Sequence, residues 1–378
     1  MSEQEILAMM TLTRIPAFSL INAHMLIEQT GSATAVMEHR HDIRDIVPDA
    51  SDRLVKALSE VDEARRRAEA EWDFAQRKHI RCLPFTDEHA YPQLLTQCAD
   101  APLMLYYLGN ANLNAPRIVS IVGTRKITEY GKDLCRQFVK GLHDAYPDTV
   151  IISGLAYGVD IHSHRAALEQ GMPTVAVLAH GLDTIYPAIH RQTAVRMLEQ
   201  GGLLTEYMSQ TPGDKGNFVR RNRIIAGISV ATVVVESAIK GGALITADLA
   251  AEYNREVCAF PGRTFDEYSA GCNHLIHSQN ARLITSVDDF LDCVGWPNPK
   301  KEDKAALSQQ ELFPQLTVDE QRIVRCLEGI DSKQINQICI EANIPFALTS
   351  AILFELELKG IVKVLGGARY RLITSPKS

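Results

Sequence analysis

The sequence has no Cys-x-x-Cys pair among its eight cysteines, and none of the dense spacing that a zinc site or a disulfide framework needs. Reduced, mostly buried thiols are the expectation. It has no apolar run near the roughly 18 residues of a membrane span, and its start, Met1-Ser2-Glu3-Gln4-Glu5, is acidic where a signal peptide would be basic. A soluble, cytoplasmic chain without membrane contact is predicted. It also lacks an excess of positive charge. Against 46 Asp and Glu stand 39 Lys and Arg, for a formal charge of −7. That excludes a protein coated everywhere in basic residues, such as a packaging protein. It leaves room for a local basic groove, because a net charge is a sum and a groove is a place.

What is present is apolar material: 46% of 378 residues are hydrophobic, enough for two or three cored domains and too much for a disordered chain. Residues 1–105 read as a helical domain, with apolar positions three and four apart in Ile6, Met9, Met10, Leu12 and again in Leu20, Ile21, Met25, Leu26. The segment Thr13-Arg14-Ile15-Pro16-Ala17-Phe18-Ser19 resembles a helix-hairpin-helix without its glycines, so a structural role is expected of it. Between 62 and 81 acids and bases interleave at helical spacing, which reads as a solvated helix laced with ion pairs rather than a basic patch.

Residues 106–296 change character. Short β-branched runs at 118–122, 149–152, 174–178, 203–205, 230–235, 256–259 and 282–284 alternate with amphipathic stretches, which predicts an α/β, doubly wound parallel sheet. Ligands of such sheets bind outside the carboxyl ends of the strands, so the loops there are the candidates. Residues 297–315 have linker composition. In 316–378 three helical stretches and a hairpin turning at Gly366-Gly367 spell a winged helix.

Three strand-to-helix loops could hold phosphates: Gly123-Thr124-Arg125, Ser153-Gly154 and Lys240-Gly241-Gly242. None is a dinucleotide fingerprint, because Gly-x-Gly-x-x-Gly is absent and no acid follows the second strand. Asp160-x-His162-x-His164 suggests a metal, but 160 and 164 share a helix face that 162 does not, so a capping Asp and a hydrogen-bonded His are expected instead, and His180 also reads as structural. No metal or cofactor is assigned.

The stretch from Lys215 to Gly227 is the most informative. Lys215, Arg220, Arg221 and Arg223 supply four cations with no acid among them, beside Phe218, Asn217 and Asn222. Helical periodicity places Val219, Ile224 and Ala226 on the buried side and leaves Arg220, Arg221 and Arg223 distributed so that at least some face a ligand. Cations along a track and an aromatic face for a splayed base suit single-stranded nucleic acid. Three phosphate-capable loops at one sheet edge favour a chain of phosphates over a mononucleotide.

These residues resemble the DNA-processing protein A (DprA/Smf) family. The matching text includes Ile121-Val122-Gly123-Thr124-Arg125, Ser153-Gly154-Leu155-Ala156-Tyr157-Gly158-Val159-Asp160, Asn217-Phe218-Val219-Arg220-Arg221-Asn222-Arg223, Val234-Val235-Glu236-Ser237, Gly241-Gly242-Ala243-Leu244-Ile245-Thr246 and Phe260-Pro261-Gly262, in order. The resemblance implies an extended Rossmann-like fold between a sterile-alpha-motif-like (SAM-like) helical domain and a winged helix. It further implies a homodimer that binds single-stranded DNA, protects it and loads the RecA recombinase during natural transformation, with no catalytic residue. Carried over, Arg125 and Lys215 would hold phosphates, Phe218 would stack on or shape a base site, Arg220 to Arg223 would line the groove and Lys240 would follow. Two positions depart from the pattern: Val219 stands where the family has proline, and Gly241 where it has serine. The enzymatic alternative, a nucleotide phosphoribohydrolase of the lysine-decarboxylase-like group, requires Pro-Gly-Gly-x-Gly-Thr-x-x-Glu, which Lys240–Thr246 does not match. The third C-terminal helix, with Glu355 and Glu357, is acidic where a major-groove reader would be basic, so partner or dimer contact suits that domain better than duplex binding.

Overall fold

The computed structural model describes residues 1–15, 19–299, 316–328, 330 and 332–373. Pro16, Ala17 and Phe18 of the hairpin-like segment, and residues 300–315 of the expected linker, lie outside them. The chain forms two compact units, Met1–Asn298 and Pro299–Ser378.

The first unit opens with α1 (Glu3–Leu12), α2 (Leu20–Thr30), α3 (Ala33–Glu38), α4 (Asp52–Ser59) and α5 (Asp62–Arg77). Serine starts four of these helices: the hydroxyls of Ser2, Ser19, Ser32 and Ser51 each accept from the backbone N–H three residues on, satisfying donors that a helix cannot pair internally. On α5, Arg65 pairs with Glu69 and Arg67 with Glu71, the interleaving foreseen from sequence. Met9, Met10, Leu12, Leu26, Ile43 and Leu58 bury against Leu103, Met104 and Tyr106.

There the helical reading of residues 1–105 needs correcting. Two strands, β1 (Arg81–Pro84) and β2 (Met104–Gly109), flank the short α6 (Gln93–Thr96), and the boundary drawn at 105 falls inside β2. The chain continues as β3 (Ile118–Val122), α7 (Glu129–Ala145), β4 (Val150–Ser153), α8 (Val159–Glu169), β5 (Thr174–Val177), α9 (Arg191–Gln200), β6 (Gly202–Thr205), α10 (Lys215–Ile228), β7 (Ala231–Val234), α11 (Gly242–Glu252), β8 (Glu256–Ala259), α12 (Ala270–His277), β9 (Arg282–Leu283) and α13 (Val287–Val294).

These strands form one sheet in the order β1-β2-β6-β5-β4-β3-β7-β8-β9. Seven are parallel, as expected. β2 joins β6 antiparallel and β1 joins β2 antiparallel, so the sheet is mostly rather than wholly parallel. Alternate residues of β3 face opposite cores: Ile118 and Val122 lie with α10 and α11, Val119 and Ile121 with α7 and α13. A sheet covered on both faces is the doubly wound architecture.

The second unit holds α14 (Val318–Leu327), β10 (Lys333–Gln334), α15 (Ile335–Ala342), α16 (Phe346–Leu358), β11 (Val362–Leu365) and β12 (Arg369–Leu372), with the strands ordered β10-β12-β11. Ile323, Leu327, Ile338, Leu353 and Leu356 form its core. No single helix among the described residues is long and apolar enough to cross a membrane.

Candidate nucleic-acid interface

β3 and β7 lie side by side, yet the chain leaves β3 toward β4, β5 and β6 and leaves β7 toward β8 and β9. The crevice outside their carboxyl ends is therefore the switch point at which open α/β sheets bind ligands. A cavity of about 260 Å³ sits there, lined by Gly123, Thr124 and Arg125 after β3, Ala156 and Asp160 after β4, Arg221 and Asn222 from α10, and Ser237, Ala238, Gly241 and Gly242 after β7. Two larger hollows, of about 550 and 490 Å³, lie against the N-terminal helices. Size alone does not make a site; the smaller cavity is where three glycine-containing loops and a helix converge.

The first loop is clamped. Thr124 donates its N–H to the Glu236 carbonyl (2.7 Å). The Glu236 carboxylate accepts from the Thr128 N–H (2.9 Å) and hydroxyl (2.5 Å), fixing the start of α7. Gly158 has φ +78°, and a Cβ on it would stand 2.0 Å from the Thr124 carbonyl oxygen, so only glycine lets the second loop pass this close. Arg125 projects from the clamped loop into solvent.

The second loop differs from its expected role. The Ser153 hydroxyl is fully buried and donates to the Ile121 carbonyl (2.6 Å), so it is spent inside the sheet. Gly154 makes room for Arg221: an added Cβ would lie 2.4 Å from Nη1 of that guanidinium. Neither residue lines the cavity; Ala156 and Asp160 do. In the third loop Gly241 has ordinary extended φ and ψ (−76°, 148°), and a Cβ there would crowd the Ser237 hydroxyl (2.3 Å) and come within 3.0 Å of the Ala238 carbonyl oxygen. A serine at 241 would thus need the Ser237 hydroxyl to rotate and the Ala238 carbonyl to give by a few tenths of an ångström, and the glycine present avoids both. Gly242 is exposed, with open space around its Cα, and Lys240 is exposed beside it.

Helix α10 corrects the expected distribution of its basic residues. Asp214 caps it by accepting from the Asn217 N–H (2.7 Å), and Val219, expected inside, is 44% exposed. The helix forms from Lys215 without the family's proline at 219. Arg221, by contrast, is buried. Its Nη1 donates to the Gly154 carbonyl (2.8 Å) and to the Val177 carbonyl, bridging the ends of β4 and β5. Burial lowers the pKa of Arg221, which the nearby Asp160 partly restores; burial raises that of Asp160, which Arg221 partly reverses. Each charge tolerates its burial because the other faces it.

Arg223 is also buried and turns away from the cavity, pairing with Glu206 and approaching Asp100 (3.8 Å). Those acids lie outside the stretch in sequence and meet it only in the fold. Lys215 and Arg220 are exposed and make no hydrogen bond or ion pair among the described residues; Asn222 is half-buried at the cavity wall. Phe218 is half-buried, with the Arg125 guanidinium 5.3 Å and the Arg221 guanidinium 5.9 Å from its ring centre and the Tyr186 ring 5.7 Å away. Tyr186, 55% exposed, was not singled out from sequence. Its only signal was an aromatic beside a proline, 32 positions before Phe218 in the chain.

Asp160 and His164 of α8 serve the scaffold. Asp160 accepts from the Ala156 N–H (3.3 Å), while His164 is fully buried with Nδ1 2.7 Å from the Thr174 hydroxyl. Among the described residues no group of three or more His, Cys, Asp or Glu could hold a metal ion. Burial, and secondarily the Arg221 charge, lowers the His164 pKa to about 3. The unfolded ring takes a proton near pH 6.5, so below that pH the folded state binds fewer protons and is disfavoured. Stability should therefore fall by up to about 1.4 kcal/mol per pH unit between roughly pH 6.5 and 3 on account of this residue. Urea midpoints at pH 7.5 and 5.0 check it: a His164→Gln variant should show a shallower acid slope than the wild type.

The family model for DNA recombination-mediator protein A matches residues 82–295. The chain is 36% identical over 282 residues to a putative DNA processing protein DprA of Mycobacterium tuberculosis, covering 73% of this chain and 70% of that one. It is 34% identical over 295 residues to protein Smf of Escherichia coli, covering 76% of each. Among solved structures, that of DNA processing protein A from Streptococcus pneumoniae superposes with a TM-score of 0.64 at 31% identity, over 75% of this chain and 95% of that one. DNA processing protein A of Helicobacter pylori, described for its single-stranded DNA binding mode, superposes with a TM-score of 0.51 at 28% identity, over 56% of this chain and 94% of that one.

Proposed function

Because the chain belongs to the DNA recombination-mediator protein A family, we propose that it is a non-enzymatic protein that binds single-stranded DNA along the carboxyl edge of its sheet. One observation carries this reading: the Phe218 ring centre lies 5.3 and 5.9 Å from the guanidinium groups of Arg125 and Arg221, which line the cavity where the three loops meet. An aromatic face next to cations is what successive bases and phosphates of a single strand use. Exposed Lys215, Arg220 and Lys240 continue the positive track, while Arg221 and Arg223, held by internal partners, position it.

The wider role follows the family: protection of incoming single strands and delivery to RecA in natural transformation, as a homodimer in the cytoplasm. The N-terminal helices act as a SAM-like domain. The C-terminal unit acts as a winged helix that serves contact rather than duplex reading. Exposed Phe354 and Leu358, interleaved on one helix with the acids Glu355 and Glu357, support that last assignment. Such a surface repels phosphates and offers apolar area to a protein.

Phe218→Ala tests the site. Loss of one stacking face should weaken single-strand affinity by about 1–3 kcal/mol, while the salt dependence of binding, set by the cations, stays unchanged. Fluorescence anisotropy with a labelled oligonucleotide at several salt concentrations reads both quantities. Unchanged affinity would remove Phe218 from the site. Incubation with a nucleoside monophosphate should release no free base; release would revive the phosphoribohydrolase alternative.

A further inference from the structure

Cys258 lies on β8, fully buried in the core beside Phe260 and Phe290, and Cys293 lies half-buried in the last turn of α13. Their sulfurs are 3.1 Å apart. A disulfide bond is about 2.05 Å long, so a closing movement of roughly 1 Å would join them. The other cysteines are free as well, and most are single thiols in apolar surroundings. Here two thiols from different elements meet, and one of them reaches the surface.

We propose that Cys258 and Cys293 are a reversible thiol-oxidation site, closed by a small disulfide such as oxidised glutathione into a cystine that staples α13 to β8. The two thiols divide the work. Their mutual hydrogen bond lowers the pKa of Cys293 and raises that of Cys258, whose burial adds to the rise. Glu256, with a carboxylate oxygen 3.7 Å from the Cys293 sulfur, opposes ionisation there, and Arg282 favours it. Cys293, the half-buried one of the two, is therefore the thiol that an outside disulfide can reach and the one that ionises more readily, and a thiolate is the nucleophile of exchange.

The Cys293 thiolate attacks one sulfur of oxidised glutathione and expels one glutathione thiolate, forming a mixed disulfide. Cys258 then loses its proton, and its sulfur attacks the Cys293 sulfur, expelling the second glutathione thiolate. The protein gives up two electrons and two protons, and one glutathione disulfide becomes two glutathione thiols. Excess thiol reverses both steps. The consequence is local: α13 carries Phe290 and Leu291 into the core, and the cystine would fix the end of that helix to the sheet.

The test uses the full chain, equilibrated in glutathione buffers of increasing oxidised fraction, quenched with N-ethylmaleimide and digested with trypsin. Cys258 lies in the tryptic peptide 256–263 and Cys293 in 283–300. The expected result is a cross-link between these peptides that becomes the major form in oxidised buffer and disappears with dithiothreitol. Amide exchange over Val287–Val294 should slow by roughly tenfold in the oxidised protein, because opening of the helix then strains the cystine. Cys293→Ser should abolish the cross-link, and Cys258→Ala should stop at a single glutathione on Cys293. Both cysteines alkylated in the fully oxidised buffer, or wild-type Cys293 halted at the mixed disulfide, would overturn the proposal.

Discussion

Arg221→Ala should lower the free energy of unfolding by about 3–5 kcal/mol, the typical cost of removing one partner from a buried charged arrangement. Three losses combine. The carbonyls of Gly154 and Val177 lose their donor, Asp160 loses the charge that offsets its burial, and the space that Gly154 leaves open becomes a void. Arg221→Lys keeps the charge, but its ammonium lacks the length and planarity that hold Nη1 against both carbonyls, so it should fall between the wild type and alanine. Arg220→Ala, one position away and exposed, should stay within about 0.5 kcal/mol. Urea titrations without DNA measure all three. Wild-type stability in Arg221→Ala would mean that the residue is not the clamp described above. A DNA-binding defect at Arg221 must accordingly be read together with stability, although sequence reasoning alone ranks it with the ligand-facing cations.

The clean binding test lies on the exposed cations. Arg125→Ala, Lys215→Ala and Lys240→Ala combined should preserve the fold, because each side chain is solvent-facing. Each phosphate contact on single strands contributes about 0.7 to the slope of log affinity against log salt. Losing three should therefore reduce that slope by about 2 and weaken binding on the order of 100-fold near 0.1 M salt. Anisotropy titrations at four or more salt concentrations give both numbers. A triple variant that binds as the wild type does would place the strand elsewhere on the molecule.

Much of the sheet could be read in the chain, because strands buried on both faces leave runs such as Ile118–Val122 that no surface helix would carry. β1 and β2 could not. Arg81–Pro84 is too short to show a period, and Met104–Gly109 follows a helical region closely enough to be absorbed into it. At the site, the clustering of Arg125, Phe218 and the glycine loops was legible, since strand-to-helix loops converge at one sheet edge by topology alone. Which arginine faces out was not. Periodicity assumes that cations avoid the core, and Arg221 and Arg223 violate it because strand-end carbonyls and the acids Glu206 and Asp100, distant in sequence, accept them. Ser153 was misplaced for the same reason: a hydroxyl at a strand end can serve the neighbouring strand as well as a phosphate.

The proposed single-strand groove is local, on a chain of net charge −7. The most direct measurement is a salt titration of binding to one oligonucleotide of about 20 nucleotides, single-stranded and as a duplex. Single-strand affinity should fall linearly in log salt, with the duplex weaker by about tenfold or more at every concentration, since paired bases cannot reach Phe218. Equal affinity for the two forms, or single-strand binding indifferent to salt, would contradict it.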